Sequence, residues 1–146
     1  MKTLVMIFAC LQAMHVSARA TDDLPISFEQ LPAQSQQLIK EHFSGQAIAL
    51  VKMDTDILDK SYEVIFTNGN KIEFDRKGNW KEINCKHSQC PQKLIPAAIW
   101  NYVEKHFAGN KICKIEKEDW NGYEVGLSNG ISLEFDSGFR LVDIDD

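Results

Sequence analysis

The apolar positions along the chain change period twice. Between Pro96 and Gly109, residues Ile99, Tyr102, Val103 and Phe107 recur at helical spacing and form one apolar stripe. Leu38, Ile39 and Phe43 do the same further upstream. Each stripe follows a proline, Pro32 or Pro96, at a position where the first turn of a helix accepts one. Each precedes a glycine, Gly45 or Gly109, where a left-handed helix cap favours one. Two helices are expected. After each helix the period falls to two, and strands are predicted over 48–53, 62–67, 70–75 and 80–84, then over 112–117, 123–127, 131–136 and 140–144. Tyr62, Val64, Ile72 and Phe74 share the face turned to the helix. Glu63, Ile65, Lys71 and Glu73 share the other.

The turns set the pairing. A two-residue Asn68-Gly69 turn would place Val64 opposite Glu73 and mix the faces. A three-residue loop, Thr67-Asn68-Gly69 with the glycine in a left-handed bulge position, places Val64 opposite Ile72 and Tyr62 opposite Phe74. The same loop at Ser128-Asn129-Gly130 pairs Val125 with Leu133 and Tyr123 with Phe135. Glu63 then faces Glu73, and Glu124 faces Glu134, on the side away from the helices.

These elements recur in order. Leu31-Pro32-Ala33 returns as Ile95-Pro96-Ala97, and His42-Phe43-Ser44-Gly45 returns as His106-Phe107-Ala108-Gly109, a shift of about 64 positions. Tyr62-Glu63-Val64 returns as Tyr123-Glu124-Val125, Asn68-Gly69 as Asn129-Gly130, and Glu73-Phe74-Asp75 as Glu134-Phe135-Asp136, a shift of about 61. The expected organisation is a leader over 1–20, one repeat over 21–84, a linker over 85–94 and a second repeat over 95–146. The fold class is α+β: two tandem helix-plus-antiparallel-sheet units with the helices on one face of the sheet.

The order His-Phe-x-Gly, Tyr-Glu-Val, Asn-Gly, Glu-Phe-Asp, then Trp80-Lys81-Glu82-Ile83-Asn84-Cys85-Lys86 and a second helix opening at Ile95-Pro96 resembles the small exported PepSY-like proteins of Bacteroides-type bacteria. Those proteins are described as similar to beta-lactamase inhibitor proteins. The resemblance covers nearly all of the chain after the leader. It implies tandem αβ repeats whose sheets form a broad surface with helices behind. It also implies an association with peptidase inhibition or regulation.

The leader bears on compartment. Met1-Lys2-Thr3 is a short positive start, Leu4 to Ala13 is mostly apolar, and Ala18-Arg19-Ala20 is a small-x-small cleavage site. This pattern is a secretory signal peptide, with cleavage expected after Ala20 and an exported, periplasmic or secreted, product. A lipoprotein reading would lipidate Cys10, but too little apolar chain precedes it. Loss of Lys2 and Arg19 takes the formal charge from −5 to about −7. An acidic chain of 146 residues, 44% hydrophobic and 25% charged, is a folded domain, and its charge argues against nucleic acid as a partner. No later segment is apolar enough for membrane insertion.

Five features bear on candidate chemistry. Cys85, His87 and Cys90 are the one cluster of soft ligands. They lack a fourth ligand at a recognisable spacing, and a Cys85–Cys90 disulfide, reduced cysteines and a metal site all remain open readings. Cys113 falls in a strand, at a position matching Ala49, and reads as a buried small residue. Trp80, Trp100 and Trp120 are candidate contact or core-edge residues. The opposed glutamates make an acidic surface suited to a basic partner, unless Lys71, Lys81 or Arg140 neutralises them. His42 and His106, at the edges of the stripes, have no nucleophile nearby in sequence. The expectation is a non-catalytic protein with no cofactor and no metal. It would bind another exported protein or peptide, such as a peptidase, through Glu63, Ile65, Lys71, Glu73, Glu124, Ser128, Ser132 and Glu134. The alternative is a metal or redox accessory built on Cys85, His87 and Cys90.

Overall fold

The computed structural model describes residues 23–56 and 59–146; the expected signal peptide and Cys10 lie outside the described residues. Among the described residues the fold is mixed: two α-helices and one open antiparallel sheet. The strands are β1 (Asp23–Pro25), β2 (Ile48–Thr55), β3 (Lys60–Phe66), β4 (Lys71–Phe74), β5 (Trp80–Asn84), β6 (Ile112–Lys117), β7 (Tyr123–Leu127), β8 (Ser132–Phe135) and β9 (Leu141–Asp145). Helix α1 (Ala33–His42) lies between β1 and β2, and α2 (Ala97–His106) between β5 and β6. The nine strands stand side by side in chain order. Direct pairing of Ile83 with Ile115 joins β5 to β6, so the sheet runs unbroken through the whole fold.

The expected hairpin registers are present. Val64 faces Ile72 and Tyr62 faces Phe74; Val125 faces Leu133 and Tyr123 faces Phe135. Gly69 and Gly130 take φ of 87° and 89° at the bulge positions of the two loops, which supports the three-residue reading. Gly109 is left-handed at 84°. Gly45 is not, so α1 ends without the glycine cap expected there. The last helical bonds are nonetheless alike: Phe43 N–H donates to Ile39 O and Phe107 N–H to Val103 O, each at 2.8 Å.

One row of side chains crosses eight strands on the inner face: Val51, Val64, Ile72, Ile83, Ile115, Val125, Leu133 and Ile144. The six from Val64 to Leu133 are wholly buried, and each such aliphatic contributes about 2 kcal/mol of transfer free energy. Both helices lie on this face. From α1, the ring of C-cap residue Phe43 stacks on Phe66 at 5.4 Å, while Tyr102 of α2 meets Phe135 edge-on at 5.4 Å. Ser35, buried on α1, donates to Gly78 O at 2.9 Å and ties the helix to the β4–β5 turn.

Four bulges keep this row in phase. One extra residue sits at Ala49, at Lys81, at Cys113 and at Val142. Each lets residues an odd number of positions apart face the same way. Ile112 and Ile115 are both buried for this reason. So is the inward register of Trp80 opposite Phe74.

The segment 85–94 is folded rather than loose. Cys85 N–H donates to Cys113 O, and Cys90 N–H to Ile112 O, each at 2.7 Å. Gln89 clamps Ile112, accepting from its N–H at 3.0 Å.

Candidate functional site

Because the inner face is committed to the helices, the outer face carries whatever polar chemistry the strands present. Register stacks its side chains in rows, as on the inner side. The row next to the aliphatic one reads Lys52, Glu63, Glu73, Glu82, Glu116, Glu124, Glu134, Asp143 across β2 to β9. Seven adjacent strands thus each present a carboxylate. The row after it reads Leu50, Ile65, Lys71, Asn84, Lys114, Gly126, Ser132, Asp145.

Opposed like charges on paired strands are destabilising, and the first part of the sheet answers them with lysines. Lys52 Nζ lies 3.1 Å from Asp23 and 3.3 Å from Glu63. Lys71 Nζ lies 3.6 Å from Glu63 and 3.2 Å from Glu73. Lys114 Nζ lies 3.4 Å from Glu116. Partial burial alone would lower the Lys71 and Lys114 ammonium pKa values, yet both are held above the usual range by the carboxylates around them. Burial beneath the row pushes Glu82 up. A cleft of about 290 Å³ opens at the start of the face, lined by Asp23, Lys52, Asp54, Ser61, Glu63 and Glu73.

The lysines stop at β6. Where β7 and β8 would continue them stand Gly126 and Ser132, and Asp145 follows on β9. Ser132 donates to Glu124 at 3.2 Å, a neutral partner for a charged one. Arg140 pairs with Asp136 in the β8–β9 turn at 3.6 Å, away from the row. Glu118, just past β6, has its carboxyl raised first by burial and then by Glu116, Glu124 and Glu134. Oxygens of Glu116, Glu118 and Glu124 lie within 4.8 Å of one another. The outer face is thus electrically divided: over β2–β6 three lysines stand among four glutamates, and over β7–β9 Glu124, Glu134, Asp143 and Asp145 have no lysine among them.

The sequence-predicted residues fall into place unevenly. Glu63, Ile65, Lys71, Glu73, Glu124, Ser132 and Glu134 stand in the two rows. Ser128 does not. It sits in the β7–β8 turn, where its hydroxyl accepts from Lys111 N–H at 2.9 Å; a loop one residue longer than a tight turn takes it off the strand. Lys52, Glu82, Lys114, Glu116 and Asp143 belong to the face and were not singled out, although their alternation within β2, β5, β6 and β9 marks their side once the bulges are known.

Cys85, Cys90 and Cys113 are buried free thiols. A hydrogen bond to Cys90 lowers Cys85, while the same bond and burial raise Cys90. His87 is exposed on the turn, so the structure does not gather Cys85, His87 and Cys90 into a ligand set. Trp80 lies under Lys117 Nζ, 3.9 Å from the ring centre. Trp100 packs at the edge of the core, and Trp120 is half exposed.

The family described as "Putative beta-lactamase-inhibitor-like, PepSY-like" matches residues 60–143, which is more than half of the chain. The chain belongs to the PepSY-like family. A crystal structure from Bacteroides thetaiotaomicron, described as a "putative calcium-regulated periplasmic protein", is 54% identical, with a TM-score of 0.82 over 86% of this chain and 98% of that one. A "putative periplasmic protein" from Bacteroides vulgatus ATCC 8482 is 50% identical, with a TM-score of 0.83 over 87% and 99%. A second protein of that organism, of unknown function, is 34% identical, with a TM-score of 0.79 over 85% and 99%. No curated protein matches the chain. This PepSY-like protein is an exported protein of the periplasm, as its periplasmic neighbours indicate. Among the described residues no helix is long and apolar enough to cross a membrane.

Proposed function

We propose that this PepSY-like protein is a non-catalytic periplasmic binding protein that holds a basic exported protein on its outer sheet face, as an inhibitor or regulator of that partner. The observation that carries this reading is the carboxylate row, with its lysines confined to β2–β6. Among the described residues no lysine of β7–β9 balances Glu124, Glu134 and Asp143; Lys114 on β6 reaches Glu124 in part, and a cationic surface would supply the rest. We read the chain as two copies of one αβ unit fused edge to edge. The matched hairpin registers support that reading. The family description supports inhibition as the kind of binding.

The test is capture from the envelope fraction by immobilised protein. A partner should be retained by the native protein, released by salt, and lost by the double variant Glu124→Gln, Glu134→Gln. Undiminished retention by that variant would remove the acidic face from the interaction.

A second reading is favoured by the convergence of Glu116, Glu118 and Glu124. Three carboxylates around the β6–β7 hairpin offer hard oxygen ligands of the kind calcium takes, and the Bacteroides thetaiotaomicron relative is described as calcium-regulated. In this reading calcium raises the melting temperature of the native protein and leaves that of Glu118→Gln unmoved.

A further inference from the structure

The two edges of the sheet differ. On one side β1 covers β2. Its three residues end at Pro25, and Asp23 is locked to Lys52 at 3.1 Å. On the other side β9 runs for five residues, and among the described residues nothing pairs with its outer edge. Its main-chain donors and acceptors on that edge form a ready template for another strand.

The side chains of β9 say what kind of strand fits. Ile144 ends the inner aliphatic row, beyond the cover of α2, and is 50% exposed. Asp143 and Asp145 end the two outer rows. An incoming strand beside β9 therefore meets an apolar position on the helix side and carboxylates on the outer side. Its residues alternate between the same two faces. A second copy of β9 would bring aspartates beside aspartates, which opposes self-pairing.

We propose that the outer edge of β9 takes an added strand: an extended segment of another exported protein in which apolar and basic residues alternate. The apolar residues cover Ile144, and the basic ones complete the charge that Asp143, Asp145 and Glu134 leave open. Affinity comes from main-chain pairing and selectivity from the alternation. This site shares Asp143 and Glu134 with the outer face, but its main-chain pairing along β9 does not depend on that face binding anything.

The probe is a blocked synthetic peptide of about six residues alternating valine and lysine. Two controls accompany it: valine alternating with glutamate, and a version with prolines in place of the valines, which keeps the charge and loses main-chain donors. The valine–lysine peptide should bind by calorimetry and slow deuterium exchange of β9 amides. Both controls should bind at least about tenfold more weakly. The double variant Asp143→Lys, Asp145→Lys should lose the peptide to a similar degree. The exchange pattern of the native protein decides the matter even if that variant fails to fold. Three outcomes would overturn the proposal. One is equal binding of the proline peptide, which would mean charge attraction alone. Another is protection confined to β3–β8, which would place the peptide on the broad face. The third is a peptide-free dimer in sedimentation that Ile144→Lys dissolves, which would give the edge to a second copy.

Discussion

Two turns of the same shape show how much depends on one residue. Asp75 N–H donates to Asn79 O, and Asp136 N–H to Arg140 O, and each aspartate side chain accepts from the backbone of its own turn. The left-handed position is Gly78 in the first, with φ of 92°, and Phe139 in the second, with φ of 61°. Gly78 is required by space as well as by conformation. A Cβ there would stand 2.6 Å from Pro32 Cβ, at the point where Ser35 ties α1 down. Gly78→Ala should therefore cost about 2 kcal/mol or more, read as a lower urea midpoint. Phe139 is free of that helix and stacks on Tyr123 at 5.7 Å. Glu118 makes a second prediction at this scale. The fold holds its proton more tightly than the unfolded chain does, so its ionisation weakens the fold as pH rises through the unfolded and then the folded pKa, and the whole penalty is present at neutral pH. Glu118→Gln should raise the urea midpoint at about pH 7, and the gain should vanish towards about pH 4. A gain that persists at low pH would show that charge is not its cause.

The elements that could be read from sequence are those whose signal is local. Alternation and Asn-Gly loops placed β3–β4 and β7–β8 with their register, because hairpin partners are neighbours in the chain. β1 was missed: Asp23-Leu24-Pro25 has no alternation to detect, and it pairs by laying Asp23 against Lys52 and Asp54, thirty residues on. The absence of a left-handed Gly45 was equally invisible, since composition alone cannot tell a required glycine from a permitted one. The β5–β6 join was not legible either, as it depends on α2 returning the chain. That join explains the cysteines. It buries Cys85 and Cys90 side by side against β6, their thiols close enough to hydrogen-bond. Protein from an oxidising compartment should have these two joined and Cys113 free. Alkylation under denaturing, non-reducing conditions followed by peptide mapping should then label Cys113 alone. Label on all three would mean the pair stays reduced, and a Cys85–Cys113 link would mean that the strand contact outruns the turn.

At the scale of the whole molecule the decisive feature is that eight strands are held in one register, so that charges far apart in sequence form a line. Single hairpins reveal Glu63 against Glu73 and Glu124 against Glu134; the bulge at Lys81 and the β5–β6 pairing bring Glu82 and Glu116 between them. The two glutamate pairs are alike in sequence and opposite in setting. Glu63 and Glu73 share Lys71, and Glu63 also holds Lys52. Removing their charge strips Lys71 of both its ion-pair partners and leaves Lys52 with Asp23 alone, on a partly buried surface. Glu124 and Glu134 have a serine where that lysine would be, so removing their charge relieves a repulsion. The double variant Glu63→Gln, Glu73→Gln should be less stable than the native protein, and Glu124→Gln, Glu134→Gln more stable, each by about 0.5–1 kcal/mol in low salt. Both differences should shrink in about 0.5 M sodium chloride, where exposed charges are screened within a few ångströms. If the two variants shift in the same direction, the division of the face into a balanced and an unbalanced half is wrong, and with it the reason for expecting a basic partner at β7–β9. If they shift apart as described, the acidic end of the sheet is a place where stability is given up, and a cationic surface docked there would recover it.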